Sequence, residues 1–406
     1  MEHTQRGRTA QFFLIVLLGA LNTITPFSID MYLPGFPQIA ADLHTTVGKV
    51  ALSVSTYFLG FAAGQLLYGP LLDRFGRKKP LYIGLSLYIL SCIACILSPT
   101  IELFFAARFI QAFTGCVAAV AAMAMVRDFF PASQSAKIIS LLVLILGVSP
   151  LLAPTAGSLV VDALGWRWVF AFLAMIVLVV LLVTIWFLPE GHRPDPTVSL
   201  LPADIIGGFK TILQNKTFIV YALAGTFSFA GLFVYVAGSP AIFMDGFGVS
   251  AKVYGAIFAF LSVGFIGGSQ LNHLLNKYFR NEQVFLVGVL VQVTAAIIFF
   301  AGVYRNYWAL PATLACLFVL LLCAGLTYPN AAAIALAPFT TTAGSAAAML
   351  GCIQIGIGGL ISSGAGLLQM KGSMPAAVTM LFSSLLALLI LSAGSKAARL
   401  AKPGAA

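Results

Sequence analysis

Two ionisable side chains, Asp30 and Arg108, stand inside apolar runs where charge is expensive. Asp30 lies in Ser28-Ile29-Asp30-Met31-Tyr32-Leu33-Pro34, closing the first run, and the helix pattern makes it the only carboxylate inside a span. An ionisable group in hydrocarbon marks a functional site by default. If it titrates, it can couple proton movement to movement of something else. Arg108 opens Arg108-Phe109-Ile110-Gln111-Ala112. A guanidinium cannot shed its proton, so it needs a carboxylate, carbonyls or water. Asp30 precedes Pro34, and Arg108 follows Glu102 on a helix running the other way. At ~1.5 Å per residue, both sit roughly 6–9 Å from the same side of the layer. A direct Asp30–Arg108 bond would favour the ionised acid. A looser arrangement through water and Gln111 would let desolvation favour the neutral acid, which a proton carrier needs for part of its cycle. The competing reading puts Asp30 at the water interface and lets Arg108 snorkel outward.

A second constellation joins two runs: Gly69, Asp73, Arg74, Gly76, Arg77, Lys78 and Lys79, ordered as G-x-L-x-D-R-x-G-R-K-x-x-L. Gly69 is expected to let two helices approach closely and Gly76 to permit a tight turn. Asp73 can face a helix N-terminus. Arg77 can reach Asp128 at the end of the fourth run, so an Asp73–Arg77–Asp128 cluster is expected to latch one side of the protein. The alternative is three solvated charges of little mutual energy. In the fifth run Pro150 and Pro154 free backbone carbonyls and bend the helix, and Gly157 admits a close neighbour. A merely kinked packing helix is the alternative there.

The elements that must position these residues can be read from hydropathy. The chain is 60% hydrophobic and 8% charged, against about 25% charged in soluble domains, so it is dissolved in lipid. Spanning takes roughly 20 apolar residues. Twelve segments qualify, near 12–33, 50–72, 80–98, 103–126, 138–161 and 168–188, then 217–243, 253–275, 284–303, 309–335, 344–369 and 374–394. The fold class is therefore all-α membrane protein, with two six-helix bundles around a central cavity. The domains are 1–188, a polar linker over 189–216, and 217–406 with a short tail. With the N-terminus inside, sixteen Lys and Arg fall on inner segments and five on outer ones, with Arg108 left in a span. Both termini are then cytoplasmic.

Enzyme chemistry is not expected. No HExxH, GxSxG or Walker loop is present, and the four histidines (His3, His44, His192, His273) lie outside or at the ends of spans. The six cysteines, including Cys92 and Cys95, fall in apolar runs without polar company and read as small buried residues. No metal and no cofactor is expected beyond the proton as coupling ion. A channel is disfavoured by the absence of a repeated filter.

The loop over 69–81 is similar to the signature of the major facilitator superfamily. Ser28 to Pro34, Tyr57 to Gln65 with Gly60 and Gly64, Phe227 to Gly231, and Ala343 to Ala346 resemble the Bcr/CflA branch of its drug:proton antiporters. The resemblance spans essentially the whole chain. It implies alternating access, with export of bicyclomycin, phenicols, sulfonamides or small metabolites against protons. Three departures bear on it. The helix-5 antiporter signature loses glycines at Ala153 and Ser158, Ala112 stands where glycine comes after the glutamine, and Asn22 occupies the place of a second acid in some relatives. Coupling is thus expected to rest on Asp30 with Arg108 and Gln111.

Substrate-facing candidates are Asn22, Tyr32, Tyr57, Phe61, Met123, Phe229, Tyr235, Asn330 and Gln354, with packing or lipid contact the alternative for each. Aromatic walls with few charges would favour moderately apolar, neutral drugs. The expected partners are a small-molecule drug or metabolite and the lipid bilayer, with no nucleic acid, and the expected state is a monomer in the bacterial inner membrane. A metabolite exporter or importer on the same fold is the alternative function.

Overall fold

The structure is a computed structural model, and it describes residues 8–130, 132–189, 194–195, 207, 210–305, 309–339, 343–368 and 372–400. Every regular element among them is helical. In chain order these are α1 (Arg8–Asp30), a 3-10 turn (Leu33–Gly35), α2 (Phe36–Asp42), α3 (Val47–Phe75), α4 (Lys78–Leu97), α5 (Ile101–Phe129), α6 (Ala132–Leu164) and α7 (Trp166–Phe187). After the linker come α8 (Lys216–Pro240) with a π turn at Ala241–Gly246, α9 (Ala251–Leu275), α10 (Asn281–Tyr304), α11 (Leu310–Leu336), α12 (Ala343–Leu367) and α13 (Met374–Leu400).

Among the described residues, eleven segments are long and apolar enough to cross a membrane. The remaining expected span, near 138–161, falls in α6, whose apolar stretch over described residues is Val148–Leu164. The first span differs from the expected 12–33 and runs from Gln11 to Asp42. Pro34 and Pro37 sit in the first turns of the 3-10 helix and of α2, where the missing N–H would have had no helical acceptor anyway. The helix therefore breaks after Asp30 and resumes at Phe36. The other spans keep their carboxylates at the ends, with Asp73, Glu102, Asp245 and Glu282 all within two residues of a terminus.

Capping fits these starts. Thr100 accepts from the Leu103 N–H, Asn215 from Phe218 and Ser250 from Val253. Gly165, at φ +93°, makes the corner between α6 and α7. Large apolar side chains such as Leu97, Leu159 and Trp186 are exposed, while Arg108, Gln111, Gln292 and Asn330 are buried. That distribution is what a lipid solvent selects, since polar groups must find partners inside the protein.

The chain divides into two compact units. One comprises Met1–Thr45 with Thr56–Leu201, the other Thr46–Ser55 with Pro202–Ala406. In the first unit α1 packs on α5, α6 and α7, and α4 packs between α5 and α7. In the second, α8 packs on α11, α12 and α13, and α10 on α11 and α13. Each unit thus sets its first long helix against its fourth and fifth. The expected linker lies mostly outside the described residues, although the Asp195 N–H donates to the Asp73 carbonyl at 3.2 Å.

Candidate functional site

Arg108 is fully buried in the first unit, so the snorkelling alternative fails. Its Nη2 donates to the Ser28 carbonyl at 2.9 Å, in the last turn of α1, and Nη1 donates to Gln111 Oε1. The last four carbonyls of a helix lack helical donors, and the helix dipole is negative there, so a cation is welcome. Three ring faces complete the shell. The guanidinium carbon lies 4.2 Å from the Tyr32 centroid, 4.4 Å from Tyr57 and 5.6 Å from Phe170. Gln111 is oriented in turn by donating to Cys92 Sγ at 3.0 Å, and the Ser28 and Tyr88 hydroxyls are hydrogen-bonded. The charge is carried by dipoles and aromatic faces.

Asp30 ends α1 and is 4% exposed. The direct Asp30–Arg108 bond, one of the two arrangements expected, is not formed. Among the described residues no ion pair or hydrogen bond reaches the carboxyl group, because Arg108 is turned to Ser28 and Gln111. The shared depth holds, since Arg108 touches the chain two residues before Asp30. Hydropathy gives no azimuth, and the azimuth chooses the partner.

The segment beyond Asp30 is held firmly. A Cβ on Gly157 would lie 1.8 Å from the Met31 carbonyl oxygen, so α6 touches the break in α1 backbone to backbone. Pro150 and Pro154 lie inside α6, which runs on unbroken. Further along, Gln38 Nε2 donates to the Val161 carbonyl at 3.3 Å, and its Oε1 accepts from the Trp166 N–H at 3.1 Å. The Asp42 carboxylate accepts from Trp166 Nε1 at 2.9 Å and from Arg167. These contacts clamp the returning segment to the α6–α7 corner.

The basic loop forms the expected cluster. Arg77 Nε donates to Asp128 at 2.8 Å and Nη1 to Asp73 at 2.7 Å. Burial works against the Arg77 charge, but its bonds to both carboxylates outweigh it and hold its pKa above the ordinary arginine value. Gly76 turns the chain at φ +79°, and the Asp73 carboxylate is taken by Arg77, the N-cap of α4. Arg74 lies 5.9 Å from the Phe75 centroid. Gly69 is a correction: a Cβ there would meet nothing within 4 Å among the described residues. Close approach belongs to Gly60, whose Cβ would lie 2.3 Å from the Phe109 carbonyl, and to Gly64 against Phe113 and Cys116. The α3–α5 crossing sits nearer the Arg108 level than Gly69 does.

The substrate candidates scatter. Asn22 is buried and donates to the Leu142 carbonyl at 3.3 Å. Tyr32 and Tyr57 are fully buried around Arg108, Phe61 is buried, and Met123 is half-buried. In the second unit Phe229 packs against Tyr328 at 4.7 Å and Phe233 at 5.5 Å, and Tyr328 hydrogen-bonds Gln354. Tyr235 packs against Phe258 with tilted rings, and Asn330 donates to Asn272 at 2.6 Å.

Sequence reasoning missed Tyr88, Tyr328 and a second serine network. Ser228 Oγ bonds Gln292 Oε1 at 2.6 Å and Thr327 Oγ1 at 2.8 Å, and its carbonyl accepts from Gln292 Nε2 at 2.7 Å. The available signal was small: Phe27-Ser28-Ile29-Asp30 recurs as Phe227-Ser228-Phe229-Ala230.

A helical membrane protein with repeated packing, a buried acid at a helix break and a carboxylate-bridged basic turn has the form of a membrane carrier. The chain belongs to the Major Facilitator Superfamily, whose family model matches residues 18–363. That is a family of transporters and not of enzymes. The chain is 32% identical over 367 residues to an uncharacterized MFS-type transporter, YdgK, of Bacillus subtilis, covering 89% of this chain and 90% of that one. It is 28% identical to a bicyclomycin resistance protein homolog of Haemophilus influenzae (91% and 92% covered). It is 31% identical to the multidrug resistance protein MdtL of Shigella flexneri (83% and 84% covered). These relatives bear out the resemblance to the Bcr/CflA-like drug antiporters. The crystal structure of a D-xylose-proton symporter shares the fold at a TM-score of 0.70 and 16% identity, over 93% of this chain and 97% of that one.

Proposed function

We propose that this chain exports small, largely neutral drugs of the bicyclomycin, phenicol or sulfonamide kind across the bacterial inner membrane in exchange for protons. The observation that carries the reading is Asp30, a buried carboxyl group without an ion-pair partner among the described residues, beside an arginine already committed to a carbonyl and an amide. In the proposed cycle Asp30 takes a proton from outside as drug is released, then loses it to the cytoplasm as drug binds. Loss of that proton frees the carboxylate to draw Arg108 from the Ser28 carbonyl, and this exchange of partners is the coupling step. The Asp73–Arg77–Asp128 cluster serves as the cytoplasmic latch. The architecture behind the cycle is twelve spans in two six-helix bundles, with both termini cytoplasmic, working as a monomer with the proton as its only coupling ion.

The test is uptake of a drug panel into inverted vesicles carrying an imposed pH gradient. Asp30→Asn is expected to abolish gradient-driven accumulation while drug binding survives. Undiminished accumulation by that variant would sink the reading.

A further inference from the structure

We infer that the connection between α9 and α10 is a docking surface for anionic phospholipid headgroups. It consists of Asn276, Lys277, Tyr278, Phe279 and Arg280, which lie between helices that both cross the membrane. Tyr278 is 82% exposed and Phe279 53%, so two aromatic rings project at a level where spans end. Amphipathic rings favour the headgroup layer, and cations beside them attract anionic lipid.

The equivalent connection of the first unit differs at its central arginine. Between α3 and α4, Arg77 is buried and bridged to Asp73 and Asp128, so its charge is satisfied within the protein. Between α9 and α10, Lys277 and Arg280 have no ion-pair partner among the described residues. The carboxylate next in sequence, Glu282, is exposed and lies near Tyr221 of α8. Tyr221 packs on Phe285 at 5.9 Å, which sets the start of α8 beside the start of α10 and adds Lys216 to the same rim. The result is a basic rim with exposed rings, complementary to a phosphate-bearing surface. Nothing in it depends on the cargo or on Asp30.

The purified full chain, offered equal phosphatidylglycerol and phosphatidylcholine and examined by native mass spectrometry, decides the matter. Wild type is expected to retain phosphatidylglycerol preferentially. Replacing Lys277→Gln with Arg280→Gln is expected to lower that preference about fivefold per charge removed. Lys277→Arg should keep it, as should Lys252→Gln at the opposite end of α9. No preference in wild type overturns the inference, as does full preference in the doubly neutralised protein. An equal fall in Lys252→Gln also overturns it, because the effect would then be general charge.

Discussion

The two units hang a serine of their first long helix on side chains from neighbouring helices, but with different chemistry. At Ser28 the carbonyl is held by a guanidinium, the helix stops two residues later, and the stopping residue is an acid. At Ser228 the carbonyl is held by an amide, the helix continues to Pro240, and the residue in the acid's place is Ala230. On the proposed cycle one packing scheme then serves two tasks. The neutral network specifies register and rigidity, whereas the charged one stands beside an acid that can take up a proton. Discontinuous helices tend to mark ion and substrate sites in carriers, and among these two first helices the broken one carries the acid.

The contrast can be broken most severely at Arg108. Arg108→Ala strips partners from the Ser28 carbonyl and Gln111, with an expected loss of roughly 3 kcal/mol. Thermal melting in detergent would measure that loss, and gradient-driven transport is expected to fall below detection. Arg108→Lys should recover little, because a point charge cannot satisfy a carbonyl, an amide and three ring faces together. Moving the acid tests the contrast from the other side. Ala230→Asp buries a carboxyl group where no arginine waits, at a cost of about 3 kcal/mol. Combined with Asp30→Asn it should not restore proton-driven uptake, and restoration would erase the difference between the units.

Gly157→Ala would press a methyl into the Met31 carbonyl, and about 2 kcal/mol with a tenfold loss of transport is expected. Gly69→Ala, with open space before it, should melt within about 0.5 kcal/mol of wild type. Gln292→Leu removes both bonds to Ser228 at roughly 1–2 kcal/mol, yet the pH dependence of transport should keep its shape. A shifted profile would mean that the neutral network also takes part in coupling. The smallest effect concerns Arg77. Its pKa is raised in the folded protein, so its stabilising contribution is complete below the ordinary arginine value and is lost only as pH rises beyond that. Melting between pH 7 and 10 should therefore not reveal a titration of Arg77.

Much of this is legible in the order of residues. Apolar length points to the helical membrane class, the cost of buried charge picks out Asp30 and Arg108, and the spacing of Asp73, Arg77 and Asp128 implies a cluster. Partner choice is not legible. The same depth suits Arg108 to Asp30 or to the Ser28 carbonyl, and only the rotation of α5 about its axis decides. Pro34 resembles the end of a span, because proline signals a break and not whether a helix resumes beyond it. Gly69 resembles a crossing point by residue type, while the crossing falls at Gly60 and Gly64, where backbone oxygens of α5 come close. The serine repeat is hidden because two matching residues in a long apolar chain carry little weight before their contacts are seen.

Arg108 is held by a carbonyl, an amide and ring faces, and none of these changes charge at the pH of a cell. On the proposed cycle only Asp30 does. If a neutral molecule leaves as one proton enters, each turnover carries a net charge across the membrane, and voltage drives it as directly as acidity. A potential of 100 mV contributes roughly 2.3 kcal/mol per charge moved. Such a pump would keep working in a neutral medium with no pH gradient, for as long as the membrane stays polarised.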